Sequence, residues 1–145
     1  MILISHRGNL YGKKDKEENN PNYILTTLNL GFDVEIDLWY INNDLFLGHD
    51  FPQYIIDFNF LSDHKSKLWI HCKNTQSICF LSEIKSDLNF FWHETDTLTI
   101  TSKGYLWVYP GKQPIKNSIS VLPEINNDDF SESLGICSDI IKNYE

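Results

Sequence analysis

Basic residues are scarce in this chain. It has 12 Lys and Arg against 20 Asp and Glu, which gives a formal net charge of −8. Nucleic-acid binding depends on clustered Lys and Arg that neutralise phosphates, so this balance argues against a nucleic-acid partner. A site for one phosphate is not excluded, because it needs only a few local cations.

Cysteines and long apolar runs are also few. The three cysteines form no CxxC pair, and the separation of Cys72 from Cys79 is poor spacing for zinc, so we expect reduced, buried thiols. No apolar run approaches the ~20 residues that a membrane-spanning helix needs. The N-terminus lacks the basic and apolar regions of a signal peptide. We therefore expect a cytoplasmic protein without a membrane span.

The composition is that of a globular protein. Hydrophobic residues make up 41% of the 145 residues and aromatic residues 14%. We find no internal repeat, linker or low-complexity tract, so residues 1–145 are predicted to form a single domain. Two helices are predicted: one begins at Asn20 and Pro21 and stops at Gly31, and the other covers residues 74–87.

Two carboxylates stand close together in the apolar segment FDVEIDLWYI, residues 32–41. Because alternate residues of a strand share a face, Glu35 and Asp37 lie side by side. Neighbouring carboxylates repel each other, so a cation lies between them or one of them holds a proton. Carboxylate oxygens suit Mg²⁺ or Ca²⁺. A solvated strand face is the alternative, and the apolar character of the segment disfavours it.

Histidines occur in three other strand-like segments. His6 ends the first apolar run, His49 follows LFLG, and His71 shares one strand face with Lys73. Polar residues at the C-terminal ends of separate strands are typical of a parallel barrel, whose active site lies at that end. The pattern therefore predicts a site at the strand ends.

The order of these motifs resembles the glycerophosphodiester phosphodiesterases. Residues 6–8 read HRG, Glu18 and Asn19 precede the first helix, and GFDVEID and LGHD follow within the first 50 residues. The segment GICSD, residues 135–139, is similar to the last strand of that family. The resemblance implies a (β/α)8 barrel, of the group that includes phosphatidylinositol-specific phospholipases C and spider-type sphingomyelinases D.

The resemblance also implies roles for individual residues. His6 and His49 would be the catalytic acid–base pair, since imidazole titrates near neutral pH. Arg7 and Lys73 would bind the substrate phosphate. The expected function is that of a metal-dependent phosphoric diester hydrolase. Its substrate would be a small molecule, a glycerophosphodiester or a similar alcohol–phosphate diester, as in lipid metabolism.

The metal site departs from the family pattern. Glu35 and Asp37 match the family's carboxylate ligands, but His71 stands where the family has a glutamate. We keep His71 as the third ligand and expect Mg²⁺ or Ca²⁺, with Mn²⁺ or Zn²⁺ as alternatives. His93 is predicted to bind substrate or, together with Glu94, to replace the missing carboxylate.

Five further residues have open assignments. Glu18 and Glu124 are additional candidates for the metal shell, and Asn19 is a candidate for supporting the first loop. Trp107 and Tyr109 either pack in the core or line a pocket for a sugar or glycerol.

Two other functions stay open. One is a transition-metal hydrolase in which His71 and His93 act with Glu35 and Asp37. The other is a non-catalytic module that binds a phosphorylated ligand. A homodimer is a further alternative, because it would cover apolar surface at an incomplete barrel rim.

The length limits the fold. A barrel of this kind takes ~250 residues, so we expect a compact, shortened (β/α)8 TIM-like barrel with reduced helices in the C-terminal half. LFLG would pair beside the second strand, and residues 97–110 would be a local hairpin. The eight barrel strands are predicted at residues 2–5, 33–40, 68–73, 89–92, 98–101, 105–109, 118–122 and 135–138.

Overall fold

A computed structural model describes all residues, 1–145, as ten strands, four α-helices and one 3-10 helix. In chain order the elements are β1 (Ile2–His6), α1 (Pro21–Asn29), β2 (Asp33–Ile41), β3 (Asp44–Leu47), β4 (Tyr54–Ile56), α2 (Phe58–Asp63), β5 (Leu68–Cys72), α3 (Thr75–Glu83), β6 (Asn89–Phe91), β7 (Leu98–Ile100), β8 (Leu106–Val108), β9 (Ser118–Val121), α4 (Pro123–Asn126), β10 (Gly135–Ser138) and the 3-10 helix (Ile141–Tyr144).

The strands form one mixed sheet that curls into a half-barrel. Its parallel part runs in the order β6–β5–β2–β1–β10–β9–β8. The strands β3 and β4 add antiparallel pairs beside the end of β2, and β7 pairs antiparallel with β8. The register places His6 opposite Glu35 and Asp37 opposite His71. Residues predicted to act together are therefore neighbours across the sheet.

The predicted (β/α)8 barrel is wrong. The sheet is not a closed ring of eight alternating strands and helices, because β7 runs antiparallel to β8 and no strand ladder joins β6 to the β7–β8 hairpin. The nearest backbone link there is a hydrogen bond from Ser102 N to Phe90 O at 2.7 Å. The chain after Phe91 is too short for full crossover helices, which normally need a dozen or more residues. The predicted hairpins, β2–β3 and β7–β8, are confirmed.

The longest helices lie on the outer face of one half of the sheet. Asn20 caps α1 by accepting a hydrogen bond from Asn22 N at 3.0 Å, and Asn74 caps α3 by accepting one from Ser77 N at 3.1 Å. Both helices have nine residues, and no helix of the chain has the length and apolar character needed to cross a membrane. Their apolar faces pack on the outward side chains of β2 and β5 to form the larger core.

A second core fills the inside of the curl. Strand alternation turns one residue in two inward, and the inward set is rich in aromatic residues. This inner core consists of Ile4, Trp69, Phe91, Trp107, Ile119, Val121 and Cys137. Beyond this core, polar side chains on β1, β2 and β5 face the same side of the sheet, and they form the site described below.

Candidate active site

A cleft of about 400 Å³ opens at the C-terminal ends of the parallel strands. Strands β1, β2, β5, β8 and β9 all contribute to its walls, because each turns an inward side chain toward the same opening. The structure thus brings together residues that are far apart in the chain. Seven residues predicted for the site line this cleft: His6, Arg7, Glu35, His49, His71, Lys73 and His93.

Asp37 is fully buried beneath the cleft. Its Oδ2 accepts a hydrogen bond from Asn19 Nδ2 at 2.9 Å and lies 2.9 Å from Arg7 Nε. The same oxygen is 3.4 Å from His49 Nδ1. Asn19 Oδ1 also accepts a hydrogen bond from the backbone N–H of Asp37 at 2.9 Å. This carboxylate therefore ties the loop after β1, the loop after β3 and strand β2 together.

The other carboxylate oxygen of Asp37 faces strand β5. Its Oδ1 lies 3.2 Å from His71 Nδ1 and 3.7 Å from Lys73 Nζ. Burial alone would raise the pKa of Asp37, but the contacts with His49 and His71 and the charge of Arg7 hold the pKa well below its usual range. Of the two neighbouring carboxylates, Asp37 is therefore the one whose ionised form the site favours.

The pKa of Glu35 is shifted in the opposite direction from that of Asp37. It is 2% exposed, and its Oε2 is buried without a hydrogen-bond partner, 3.9 Å from His6 Nε2. Burial, and then repulsion by Asp37, raise the pKa of Glu35 well above its usual range. The protonated form of Glu35 is therefore favoured relative to that of an ordinary glutamate.

Glu35, Asp37 and His71 together fit a divalent cation. One ligand atom of each lies within 4.8 Å of those of the others. The partnerless Oε2 of Glu35 offers a coordination position that no protein group uses. Two carboxylates suit hard cations such as Mg²⁺, and the imidazole extends the range to Mn²⁺ and Zn²⁺. This set is the one that the sequence predicted as metal ligands.

His6 is oriented by Asp139, which follows β10. The Nδ1 of His6 lies 2.8 Å from Asp139 Oδ1, so Nδ1–H donates and Nε2 is left toward the cleft. Asn9 Nδ2 donates to the same oxygen at 2.8 Å. Burial raises the pKa of Asp139, but the hydrogen bond and charge of His6 outweigh it and lower the pKa below its usual value. An ionised carboxylate therefore stands behind the ring.

Arg7 connects His6 to the rest of the cleft. Its backbone has a φ of 56°, and its Nη1 donates to Glu18 Oε2 at 3.2 Å, while Nη2 lies 3.4 Å from His49 Nε2. Burial lowers the pKa of Arg7, but nearby carboxylates, first that of Asp37, raise it above its usual value. The guanidinium is a fixed positive charge that two carboxylates hold in place.

Glu18 is bound to protein groups rather than to the predicted metal set. Besides Arg7, its Oε1 accepts from Asn9 Nδ2 at 2.8 Å. A ligand atom of Glu18 lies within 4.8 Å of those of His6 and Asp139. Each member of this second group already has a protein partner. The geometry places Glu18 as the anchor of Arg7.

His49 is positioned by its backbone neighbour Gly48, whose φ is 154°. An added Cβ at Gly48 would collide with the carbonyl oxygen of Phe51. The carbonyl of Gly48 accepts from Trp39 Nε1 at 2.6 Å, and its N–H donates to the carbonyl of Asp37 at 3.1 Å. These contacts hold the His49 loop against β2.

Rings form one wall of the cleft. His71 stacks on Phe91 with ring centroids 5.3 Å apart and lies 4.8 Å from the ring of His93, which in turn meets Tyr109 at 5.6 Å. Burial, and then the charge of His71, lower the pKa of His93 to about 4. His93 is therefore neutral at pH 7. His71 Nε2 meets the backbone oxygen of His93 at 3.2 Å, not its ring nitrogen.

The remaining candidates take different places. Glu124 does not line the cleft; its Oε1 accepts from Ser138 Oγ at 2.8 Å and from the backbone N–H of Asp139 at 3.0 Å. Trp107, at 2% exposure, belongs to the inner core, and Tyr109 is 37% exposed, yet both contribute to the cleft walls.

Sequence reasoning gave no role to two residues of the site, Asn9 and Asp139. Asp139 directly follows an apolar run, which is the same signal that singled out His6 and His49, so the pattern contained it. Asn9 lies in a polar loop and has no comparable signal. Its amide joins Glu18 and Asp139, a link that only the folded chain reveals.

Comparison of the chain with models of protein families, with curated proteins and with solved structures found no match. The fold and the cleft together define a polar site with the following composition. Histidines and two fixed cations surround a pair of buried carboxylates at the C-terminal edge of a parallel sheet.

Proposed function

We propose that this chain is a metal-dependent phosphodiesterase that cleaves a glycerophosphodiester or a similar alcohol–phosphate diester. One observation carries the proposal: His6 and His49 share a single cleft with Arg7, above the buried pair Glu35 and Asp37. The order of HRG, GFDVEID and LGHD along the chain, which resembles the glycerophosphodiester phosphodiesterases, supports the same assignment.

The two histidines suit the proton transfers of this reaction. A hydroxyl, from water or from the substrate itself, attacks phosphorus and loses its proton to one imidazole. The bond from phosphorus to the leaving oxygen breaks, and the other imidazole donates a proton to that oxygen. Each ring has a carboxylate near its Nδ1, Asp139 for His6 at 2.8 Å and Asp37 for His49 at 3.4 Å. These carboxylates stabilise the imidazolium that each transfer requires.

The cations of the cleft suit the charge of the phosphate. Arg7 and Lys73 are held by buried carboxylates, so they are in position before a substrate binds. A divalent cation held by Glu35, Asp37 and His71 would supply further neutralisation of a phosphoryl oxygen. His93 is neutral at pH 7 and can donate a hydrogen bond from the opposite wall.

The experiment that tests the proposal is phosphorus NMR of a panel of glycerophosphodiesters, with Mg²⁺, Ca²⁺, Mn²⁺ or a chelator. We expect metal-dependent turnover that falls by about 10²–10⁴-fold in His6→Ala and in His49→Ala. His64→Ala is the matched control, because His64 is partly buried but lies outside the cleft. Equal activity of the His49→Ala and His64→Ala variants would contradict the proposal. The product resonance separates a phosphomonoester from a cyclic phosphate.

The same experiment addresses the two alternatives. Phosphate binding without turnover under any metal would favour the non-catalytic module. The transition-metal hydrolase that uses His71 and His93 has less support, because His93 meets His71 through its backbone oxygen. The transition-metal hydrolase would be favoured if the purified protein contained tightly bound zinc or manganese and the His93→Ala variant did not.

A further inference from the structure

A second concave surface lies on the outer side of the sheet, where β2, β3 and β4 meet α2 and α3. It has a volume of about 490 Å³ and shares no residue with the cleft. We call it the apolar groove. Its apolar residues are Tyr40, Leu45, Ile55, Ile56, Phe58 and Phe80.

Two side chains of the apolar groove, Ile55 and Phe58, are exposed despite their hydrophobicity. Ile55 is 64% exposed and Phe58 37%, and Ile84, at 38%, continues the surface beyond Phe58. The aromatic wall is fixed by packing: Tyr40 stacks on Phe80 at 4.2 Å, and Phe58 meets Phe80 edge-on at 6.3 Å. A contiguous exposed apolar surface with a rigid aromatic wall is typical of a recognition site.

The rim of the apolar groove is acidic. Asp44 and Asp57 both line it and are exposed, and neither forms an ion pair. No Lys or Arg lies among the lining residues. Asp57 Oδ1 accepts the capping hydrogen bond from Phe60 N at 3.1 Å, which leaves its charge free. Charge complementarity therefore calls for a cationic occupant.

We propose that the apolar groove docks a segment of a partner protein that presents apolar side chains flanked by Lys or Arg. The apolar side chains would cover Ile55 and Phe58, and the cations would face Asp44 and Asp57. A second copy docked groove to groove is disfavoured, because it would bring two acidic rims together. This inference is independent of the phosphodiesterase proposal, since the two surfaces share no residue.

Titration calorimetry of the whole chain with two synthetic peptides tests the apolar part. One peptide has leucines and lysines at the spacing of an amphipathic helix, and in the other each lysine is replaced by glutamate. We expect only the lysine peptide to bind, and Ile55→Thr to weaken binding about tenfold. Ile100→Thr is the matched control, because Ile100 is 63% exposed on β7, away from the groove. Circular dichroism is to be used to check that both variants fold.

A pair of charge variants tests the acidic rim. Asp44→Asn with Asp57→Asn should weaken the lysine peptide about tenfold and reduce the salt dependence of binding. Asparagine caps a helix as well as aspartate does, so α2 is preserved. Glu17→Gln with Glu132→Gln removes the same charge from exposed positions outside the groove and should leave binding unchanged. If both pairs of substitutions weaken peptide binding equally, the effect comes from net charge alone, and the proposal is overturned.

Two other outcomes would also overturn it. The first is no binding of the lysine peptide by the folded wild type. The second is self-association of the wild type, measured by light scattering, that Ile55→Thr abolishes and Ile100→Thr does not. That result would make a second copy the occupant of the groove.

Discussion

Among single residues, Asp139 offers a direct test of how the cleft orients its histidine. Asp139→Ala removes the acceptor 2.8 Å from His6 Nδ1, so the ring loses its fixed tautomer and the charge that stabilises its protonated form. We expect kcat for phosphodiester cleavage to fall about 10²–10⁴-fold, with little change in KM. The check is steady-state kinetics, with exposed Glu132→Ala as the control. Parallel losses in both variants would count against a positioning role.

Glu35 makes a prediction about the pH dependence of stability. Its pKa in the folded chain is raised, so the folded state holds a proton that the unfolded state releases as the pH rises above the ordinary glutamate value. The metal-free protein should therefore lose stability from that pH up to the raised pKa. Glu35→Gln removes this loss. Thermal unfolding at pH 8 should show a higher Tm for Glu35→Gln than for wild type, by about 2–4 °C for each kcal/mol.

The response to metal separates this explanation from a general packing effect. A cation needs the ionised form of Glu35, so excess Mn²⁺ should raise the Tm of the wild type and leave that of Glu35→Gln nearly unchanged. Glu17→Gln, at an exposed position, should behave as the wild type in both measurements. A Tm of Glu35→Gln that equals or falls below the wild-type value at pH 8 would show that the buried carboxyl is not destabilising.

Among the elements, local signals determine which ones the sequence reveals. The helix α1 was predicted because Asn20 and Pro21 mark its start, and β2 because its residues alternate. Strand β4 and helix α2 were missed, since Tyr54–Ile56 does not alternate and Phe58–Asp63 is too short to show a helical period. Their position depends on packing against β3 and α3, which no local pattern encodes.

The loop after β3 yields a prediction at this scale. Gly48→Ala introduces a Cβ that collides with the backbone of Phe51, so the loop that carries His49 must move. We expect a loss of about 1–3 kcal/mol in the free energy of unfolding, together with lower phosphodiesterase activity. Gly12→Ala is the control, because Gly12 has a φ of 144° and nothing within 4 Å of the added Cβ. Urea unfolding and activity should both distinguish the two variants, and equal losses would contradict the collision.

Across the whole molecule, the sequence predicted which polar residues lie together better than it predicted the architecture. The ends of apolar runs led to His6 and His49, and pairs two residues apart on one strand face led to Glu35 with Asp37 and His71 with Lys73. Parallel strands then bring these side chains to one edge whichever strands are neighbours. The expectation of a closed barrel failed because closure requires β6 to pair with the β7–β8 hairpin. That pairing is a long-range property, and no ladder forms there: β6 pairs only with β5, and β7 pairs only with β8.

The pairing of the first strand with the last makes the fold depend on residues far apart in the chain. β1 and β10 run parallel from Ile2 opposite Gly135 to Ser5 opposite Ser138. Deleting residues 135–145 would expose two sheet edges and remove the buried side chains of Ile136 and Ile141. Burial of such side chains contributes about 1.5–3 kcal/mol each, against a net stability of about 5–15 kcal/mol. We therefore expect no cooperative thermal transition by circular dichroism.

A shorter deletion tests whether thermal stability depends on strand β10 or only on residues 143–145. Removing residues 143–145 takes away the edge-on contact of Tyr144 with Phe130 but keeps β10 and Ile141. This variant should unfold cooperatively, with a modest decrease in Tm. If the longer deletion also unfolds cooperatively near the wild-type Tm, β10 is not needed to hold β1. In that case His6 would have to be positioned by β2 alone, through the register that sets it opposite Glu35.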